Sequence, residues 1–107
     1  MNKKFCSMLG ISKKAGKLVS GSYNVEKFIK MKKLFLVIFA MDTSENTAKN
    51  IKRLCENYNI DYIFYGNKEI LGKCIGQELI AVIGITDEGL SKVLVNAAKE
   101  KNNDGGE

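Results

Sequence analysis

No histidine occurs among the 107 residues, so proton transfer near neutral pH would fall to carboxylates, lysines or tyrosines. Nucleophilic triads and histidine-containing zinc sites are excluded. The best-placed carboxylates, Asp87 and Glu88, are neighbours at an expected helix start and do not face each other there. Dipole complementation and capping account for them better than an acid–base pair does. Cys74 follows Lys73, which could lower a thiol pKa, but no imidazole exists to act as its base. Two stretches imitate phosphate loops, Gly10 to Lys17 and Gly66 to Lys73. Each has five residues between its glycines instead of four, and Leu18 and Cys74 stand where a magnesium-binding Ser or Thr is required. The dinucleotide fingerprint G-x-G-x-x-G is also missing. The expectation is a non-catalytic chain with no cofactor and no metal.

What the residues can do is hold an anion. In GSYNVEKFIKMKKLFLVIFA, Gly21 to Ala40, Val25, Phe28 and Ile29 fall at i, i+3 and i+4, so one helix face turns inward while Lys27, Lys30, Lys32 and Lys33 stay in water. The helix start, with unpaired N–H groups, the positive end of the macrodipole and no Cβ at Gly21, admits an anionic ligand closely. The net charge of +5 is also unevenly spread. Residues 1 to 33 carry nine lysines against one acid, a charge of +8, whereas residues 34 to 107 carry −3. A local basic field of this kind steers polyanions and releases counterions, although a lysine run can equally be solvated surface.

The elements that must position these groups alternate between helix and strand, as expected of an α/β layered domain with helices covering a sheet. Phe5, Met8 and Leu9 mark a first helix ending near Lys14–Gly16, and Leu18 to Ser20 is extended. The basic helix runs from about Ser22, its expected N-cap, to Met31. Leu34 to Ala40 reads as a strand buried on both faces. Asp42 and Glu45 have capping-box spacing ahead of a helix with the stripe Ala48, Ile51, Leu54, Cys55 and Tyr58. A strand follows at Tyr62 to Tyr65. Asn67 caps a short helix through Leu71, Gly72 and Gly76 bracket a turn-rich loop, and Ile80 to Ile85 forms the last strand. Thr86 caps a final helix carrying Leu90, Val93, Leu94, Ala97 and Ala98.

Length and a 45% apolar content suit one domain over residues 1 to 99, with a disordered tail over 100 to 107. Cys6, Cys55 and Cys74 are odd in number and widely spaced, which fits buried thiols in a reducing compartment better than a disulfide framework. The longest apolar run, Leu34 to Met41, is too short to cross a bilayer, and no signal peptide is evident. A cytoplasmic monomer that avoids membranes is expected.

The order of elements, GSYNVEKFIKMKKLFLVIFAMDTSENT and the later KEILGKCIGQELIAVIGI resemble the L7Ae/L30e ribosomal protein superfamily, in its small bacterial YlxQ-like branch, over residues 3 to about 99. The resemblance implies a three-layer α/β/α sandwich with a small mixed four-stranded sheet. It also implies binding to RNA kink-turns or related internal loops, with ribosomal RNA and ribosomal proteins as partners. In the family pattern a glycine is followed at the second, third and sixth positions by Asn, Glu and Lys, which contact sheared G·A pairs and nearby backbone. Those positions here are Tyr23, Asn24 and Lys27, following Gly21 and Ser22. An amide at Asn24 can donate to or accept from a purine edge, and Tyr23 can stack on an unpaired base or pack. The second family contact corresponds to Ile75, Gly76, Gln77, Glu78, Leu79 and Ile80, whose apolar side chains would cover a flipped-out base. Glu78 opposes that role through repulsion from phosphates. Lys30 would join Lys27 at the backbone, and Lys13, Lys14, Lys17, Lys32 and Lys33 would supply a less specific field. The alternative is a protein-interaction module for a ribosomal or translation partner that has lost strict RNA reading.

Overall fold

The computed structural model describes residues 2–100. Five helices and four strands follow in the order α1 (Lys3–Lys14), β1 (Leu18–Ser20), α2 (Ser22–Lys30), β2 (Leu36–Phe39), α3 (Glu45–Asn57), β3 (Asp61–Phe64), α4 (Lys68–Cys74), β4 (Val82–Ile85) and α5 (Glu88–Lys99). The strands lie side by side as β1-β4-β2-β3, with β2 parallel to β3 and β4 antiparallel to both its neighbours. This is the three-layer α/β/α sandwich with a mixed sheet.

Side-chain alternation along a strand gives the sheet two buried faces. Leu36, Ile38, Ile83 and Ile85 turn to one side, where Phe5 and Leu9 of α1, Leu71 of α4, and Leu94 and Ala97 of α5 cover them. Val37, Phe39 and Val82 turn to the other, under Val25 and Ile29 of α2 and Ile51 and Cys55 of α3. Fully burying Val25 and Ile29 contributes roughly 1.5–3 kcal/mol each, which is what holds the short α2 down while its lysines remain exposed. Tyr58, expected on the buried stripe of α3, is instead exposed just past the helix end.

Several caps differ from those expected. Gly21, not Ser22, occupies the N-cap of α2 and offers no side-chain bond. Ser44, rather than an Asp42 capping box, caps α3 by accepting from the Thr47 N–H at 3.3 Å. Asp42 reaches across to accept from the Lys68 N–H at 2.9 Å, so it anchors α4. Asp87, one residue beyond Thr86, caps α5 by accepting from the Leu90 N–H at 2.8 Å. Helix α4 does not stop at Leu71; it runs on through Gly72 to Cys74. Of the expected tail, Glu100 is the C-cap of α5 and pairs with Lys4 at 3.2 Å, while residues 101–107 lie outside the described ones.

The cysteine expectation is corrected most sharply. Cys6 and Cys74 form a disulfide, with Cα atoms 5.2 Å apart across a sequence separation of 68, and only Cys55 is a free thiol. The packing of α1 against α4 brings together two cysteines that sequence spacing separates. Cys55 is fully buried in the α3 layer. Burial pushes its thiol up from 9.0 to about 12, with the Glu56 carboxylate adding to the effect. The native state therefore keeps this proton more tightly than the unfolded chain does. Stability from this site is complete below about pH 9 and is lost as pH rises toward 12. Urea midpoints measured across that window should fall with pH, and Cys55→Ala should flatten part of the slope; an unchanged slope would contradict the assignment. No helix among the described residues is long and apolar enough to cross a membrane.

Candidate nucleic-acid interface

The N-terminus of α2 forms at the end of the sheet where β2 and β3 finish. Gly21 sits at φ 92°, ψ 148°, a conformation essentially confined to glycine, and its N–H donates to the Val82 carbonyl at 3.0 Å. The first intrahelical bond runs from the Val25 N–H to the Gly21 carbonyl at 3.0 Å. The N–H groups of Ser22, Tyr23 and Asn24 thus precede the helical ladder, and no side chain caps them. At the other four helices Asn2, Ser44, Asn67 and Asp87 each supply a side-chain cap.

Tyr23 is 79% exposed, so it does not pack on this chain and its ring is presented to solvent. Asn24 is also exposed, and its Nδ2 donates to the Ser20 carbonyl at 3.1 Å. That bond orients the amide and occupies one of its donors, leaving Oδ1 directed to act as the acceptor. Lys27 and Lys30 are exposed further along the same helix.

The second expected contact lies beside the first. Ser20 Oγ donates to Gln77 Oε1 at 3.2 Å, joining the end of β1 to the loop after α4. Gly76 turns the chain at φ 75°, and the Gln77 N–H returns to the Gly72 carbonyl at 2.8 Å. Gly72 is buried, and a Cβ there would stand 1.8 Å from the Glu78 carbonyl oxygen. The loop can lie on α4 only because that side chain is missing. Gly76, Gln77, Glu78 and Leu79 are all exposed, with Leu79 at 65%. Gln77, Glu78 and Leu79 border a hollow of about 380 Å³ with Glu69 and Lys73. Ile75 does not take part as expected: it is buried with Phe5, Leu71 and Leu94 and supports the loop from below. Ile80 is partly buried against the same core, so Leu79 alone presents an apolar side chain outward.

The lysines divide. Helix α2 descends about 12 Å from Ser22 to Lys30 at 1.5 Å per residue. Lys32 and Lys33 follow at the far end of the sheet, where the Phe35 N–H meets the Ile85 carbonyl. Lys17 sits at that same end, its carbonyl accepting from the Thr86 N–H, and Lys13 and Lys14 close the last turn of α1 above it. The basic field therefore does not surround the start of α2. It begins at Lys27 and gathers at the opposite end. Sequence reasoning missed Ser20 and Gly72. Ser20 gives no local signal, whereas a glycine within a helical pattern does hint at a close approach. Among the described residues, no three His, Cys, Asp or Glu side chains converge to hold a metal ion.

The model of the ribosomal protein L7Ae/L30e/S12e/Gadd45 family matches residues 3–95. The protein named RNA-binding protein YlxQ in Bacillus subtilis is 35% identical over 89 residues, covering 83% of this chain and 89% of the relative. Large ribosomal subunit protein eL30 of Saccharolobus solfataricus is 34% identical over 83 residues, 76% of this chain and 77% of its own length. Among solved structures, a Bacillus halodurans protein of unknown function superposes with a TM-score of 0.87 at 33% identity, covering 91% of this chain and 98% of the other. The Giardia lamblia 15.5kD RNA binding protein superposes with a TM-score of 0.72 at 20% identity, over 89% and 82% of the two chains, a likeness of fold alone. A family match across nearly all the described residues, joined to relatives at this identity over most of their length, places the chain in the ribosomal protein L7Ae/L30e/S12e/Gadd45 family, within its YlxQ-like branch.

Proposed function

We propose that this chain is a non-catalytic binder of structured RNA, reading a kink-turn or similar internal loop in ribosomal RNA or another translation-linked transcript. The observation that carries the reading is the uncapped start of α2, tied through Ser20 and Gln77 to the exposed Gly76–Leu79 loop. Free N–H groups and the helix dipole suit a phosphate, Asn24 Oδ1 suits an amino group on a purine edge, and Tyr23 offers a stacking face to an unpaired base. The name borne by the YlxQ relatives supports the same class of ligand.

The divided lysines set a length dependence. An RNA confined to the motif meets Lys27 and Lys30, so log K should fall with log salt at a slope of about −1.4 to −1.8 for two phosphates. One with an arm reaching the far end adds about three more phosphate contacts among Lys32, Lys33 and the lysines of the Lys13–Lys17 turn, steepening the slope to about −3.5 to −4.5 for five. Fluorescence anisotropy with short and long kink-turn duplexes, beside straight duplexes, measures this. Lys27→Ala should weaken every RNA alike, whereas Asn24→Ala should cost about 1–3 kcal/mol of discrimination between kinked and straight forms. Equal affinity for kinked and straight duplexes in the unmodified protein, with partners surviving nuclease treatment in pull-downs, would favour a protein-interaction module instead.

A further inference from the structure

We infer that the Cys6–Cys74 pair is a redox control on the RNA grip, with the oxidised protein binding more tightly than the reduced one. This rests on the RNA-binding reading above and concerns how that site is regulated.

The bond lies next to the part of the site that most needs fixing. Cys74 is the last residue of α4, and the exposed run Gly76–Leu79 begins two residues later. Helix α4 has only seven residues, and the loop's single side-chain link to β1 is the solvent-exposed Ser20–Gln77 hydrogen bond. The loop's position is therefore governed by where the C-terminal turn of α4 sits. The Gln77 N–H and Ile75 N–H both return to the Gly72 carbonyl in that turn. Cys6 lies within the twelve-residue α1, whose backbone comes so near that a Cβ on Gly10 would stand 3.3 Å from the Cys74 carbonyl oxygen. The disulfide thus fastens a short, loop-bearing helix to a long one. Breaking it removes the covalent tie to α1 and leaves the turn held by the burial of Leu71 and Ile75, the Asp42 anchor at the far end of α4 and the exposed Ser20–Gln77 bond, and the loop samples positions that RNA must then select against.

The chemistry is available to both sulfurs. Cys6 and Cys74 are each partly exposed, whereas Cys55 is fully buried and held protonated. A small-molecule disulfide such as oxidised glutathione supplies the oxidant. One cysteine thiolate attacks it, forming a mixed disulfide and expelling one glutathione thiolate. The second cysteine thiolate attacks the protein sulfur of that bond and expels the other. Two protein thiols are oxidised, one glutathione disulfide is reduced to two thiols, and the two protons pass through solvent to the departing thiolates. Cys55 stands apart, so each state has a defined thiol count.

The experiment uses the full chain equilibrated with oxidised or reduced glutathione. Intact mass and thiol titration in denaturant assign the state, with one free thiol expected when oxidised and three when reduced. Circular dichroism records whether each form is folded, and anisotropy with one kink-turn duplex gives its affinity. The expected result is binding at least threefold tighter in the oxidised form, with both forms folded. Cys74→Ser should bind at the reduced value under either condition, and Cys55→Ser should keep the redox response. Equal affinities in the two wild-type forms overturn the inference while leaving RNA binding intact. So does failure of Cys6 and Cys74 to pair under oxidised glutathione, or loss of binding that accompanies loss of the helical signal. Absence of binding in both folded forms overturns the RNA-binding reading itself, and the redox control with it.

Discussion

Gly72→Ala lowers stability by about 3 kcal/mol, the upper end of what overpacking in a filled site costs. In an exposed helix the same change would gain up to about 1 kcal/mol of propensity. The sign reverses here because of what the new methyl meets. It would stand 1.8 Å from the Glu78 carbonyl oxygen, 2.6 Å from the Glu78 carbonyl carbon and 2.9 Å from the Gln77 carbonyl oxygen. All three are backbone atoms, so no rotamer change relieves them. The loop must lift from α4, which also disturbs the Gln77 N–H to Gly72 bond at 2.8 Å and the Ser20–Gln77 link. Urea unfolding would register the lost stability, and RNA affinity should fall with it because the second half of the site has moved. A neutral or stabilising result would mean that the loop does not lie on Gly72.

Reducing the Cys6–Cys74 bond should destabilise the protein by about 2–4 kcal/mol. The loop-closure entropy for a crosslink over 68 residues is about 4 kcal/mol. The measured value should fall below that ceiling where the reduced unfolded chain retains residual structure. A second signature accompanies the first. The uncrosslinked chain exposes more surface when it unfolds, so the denaturant slope should rise on reduction as the midpoint falls. Urea titrations of the oxidised protein and of Cys6→Ser/Cys74→Ser make the comparison; matching midpoints would show that the bond contributes nothing to the fold.

The layered architecture was legible because its signals are periodic. The i, i+3, i+4 spacing of Val25, Phe28 and Ile29 and the unbroken apolar run ending in β2 needed no tertiary information. The cap assignments erred by one or two residues where Ser, Thr, Asp and Asn compete locally. Asp42 was free to act elsewhere only because α4 begins beside it, and that adjacency is a product of topology. The disulfide was hidden for the same reason, since an odd cysteine count does not say which two helices will meet. At the site, the glycine start and the loop were both readable and the structure joins them through Ser20 and Gln77. The lysines looked like one field because they are close in sequence. The sheet and α2 separate them, as a helix of this length carries its charged C-terminal turn away from its own start. The family resemblance puts Ile75 in the contact loop, but α4 continues past Leu71 and Ile75 is buried at its C-cap. One more helical turn carries it into the core.

The most direct measurement is a titration of the isotopically labelled protein with a short kink-turn duplex and with a straight duplex of equal length, followed through backbone amide resonances. With the kinked RNA, the largest shifts should fall on Ser22, Tyr23, Asn24 and the Gly76–Leu79 loop together, at RNA concentrations where the straight duplex moves neither. Shifts confined to the Lys13–Lys17 and Lys32–Lys33 end, or equal for both duplexes, would contradict an RNA-reading site at the start of α2.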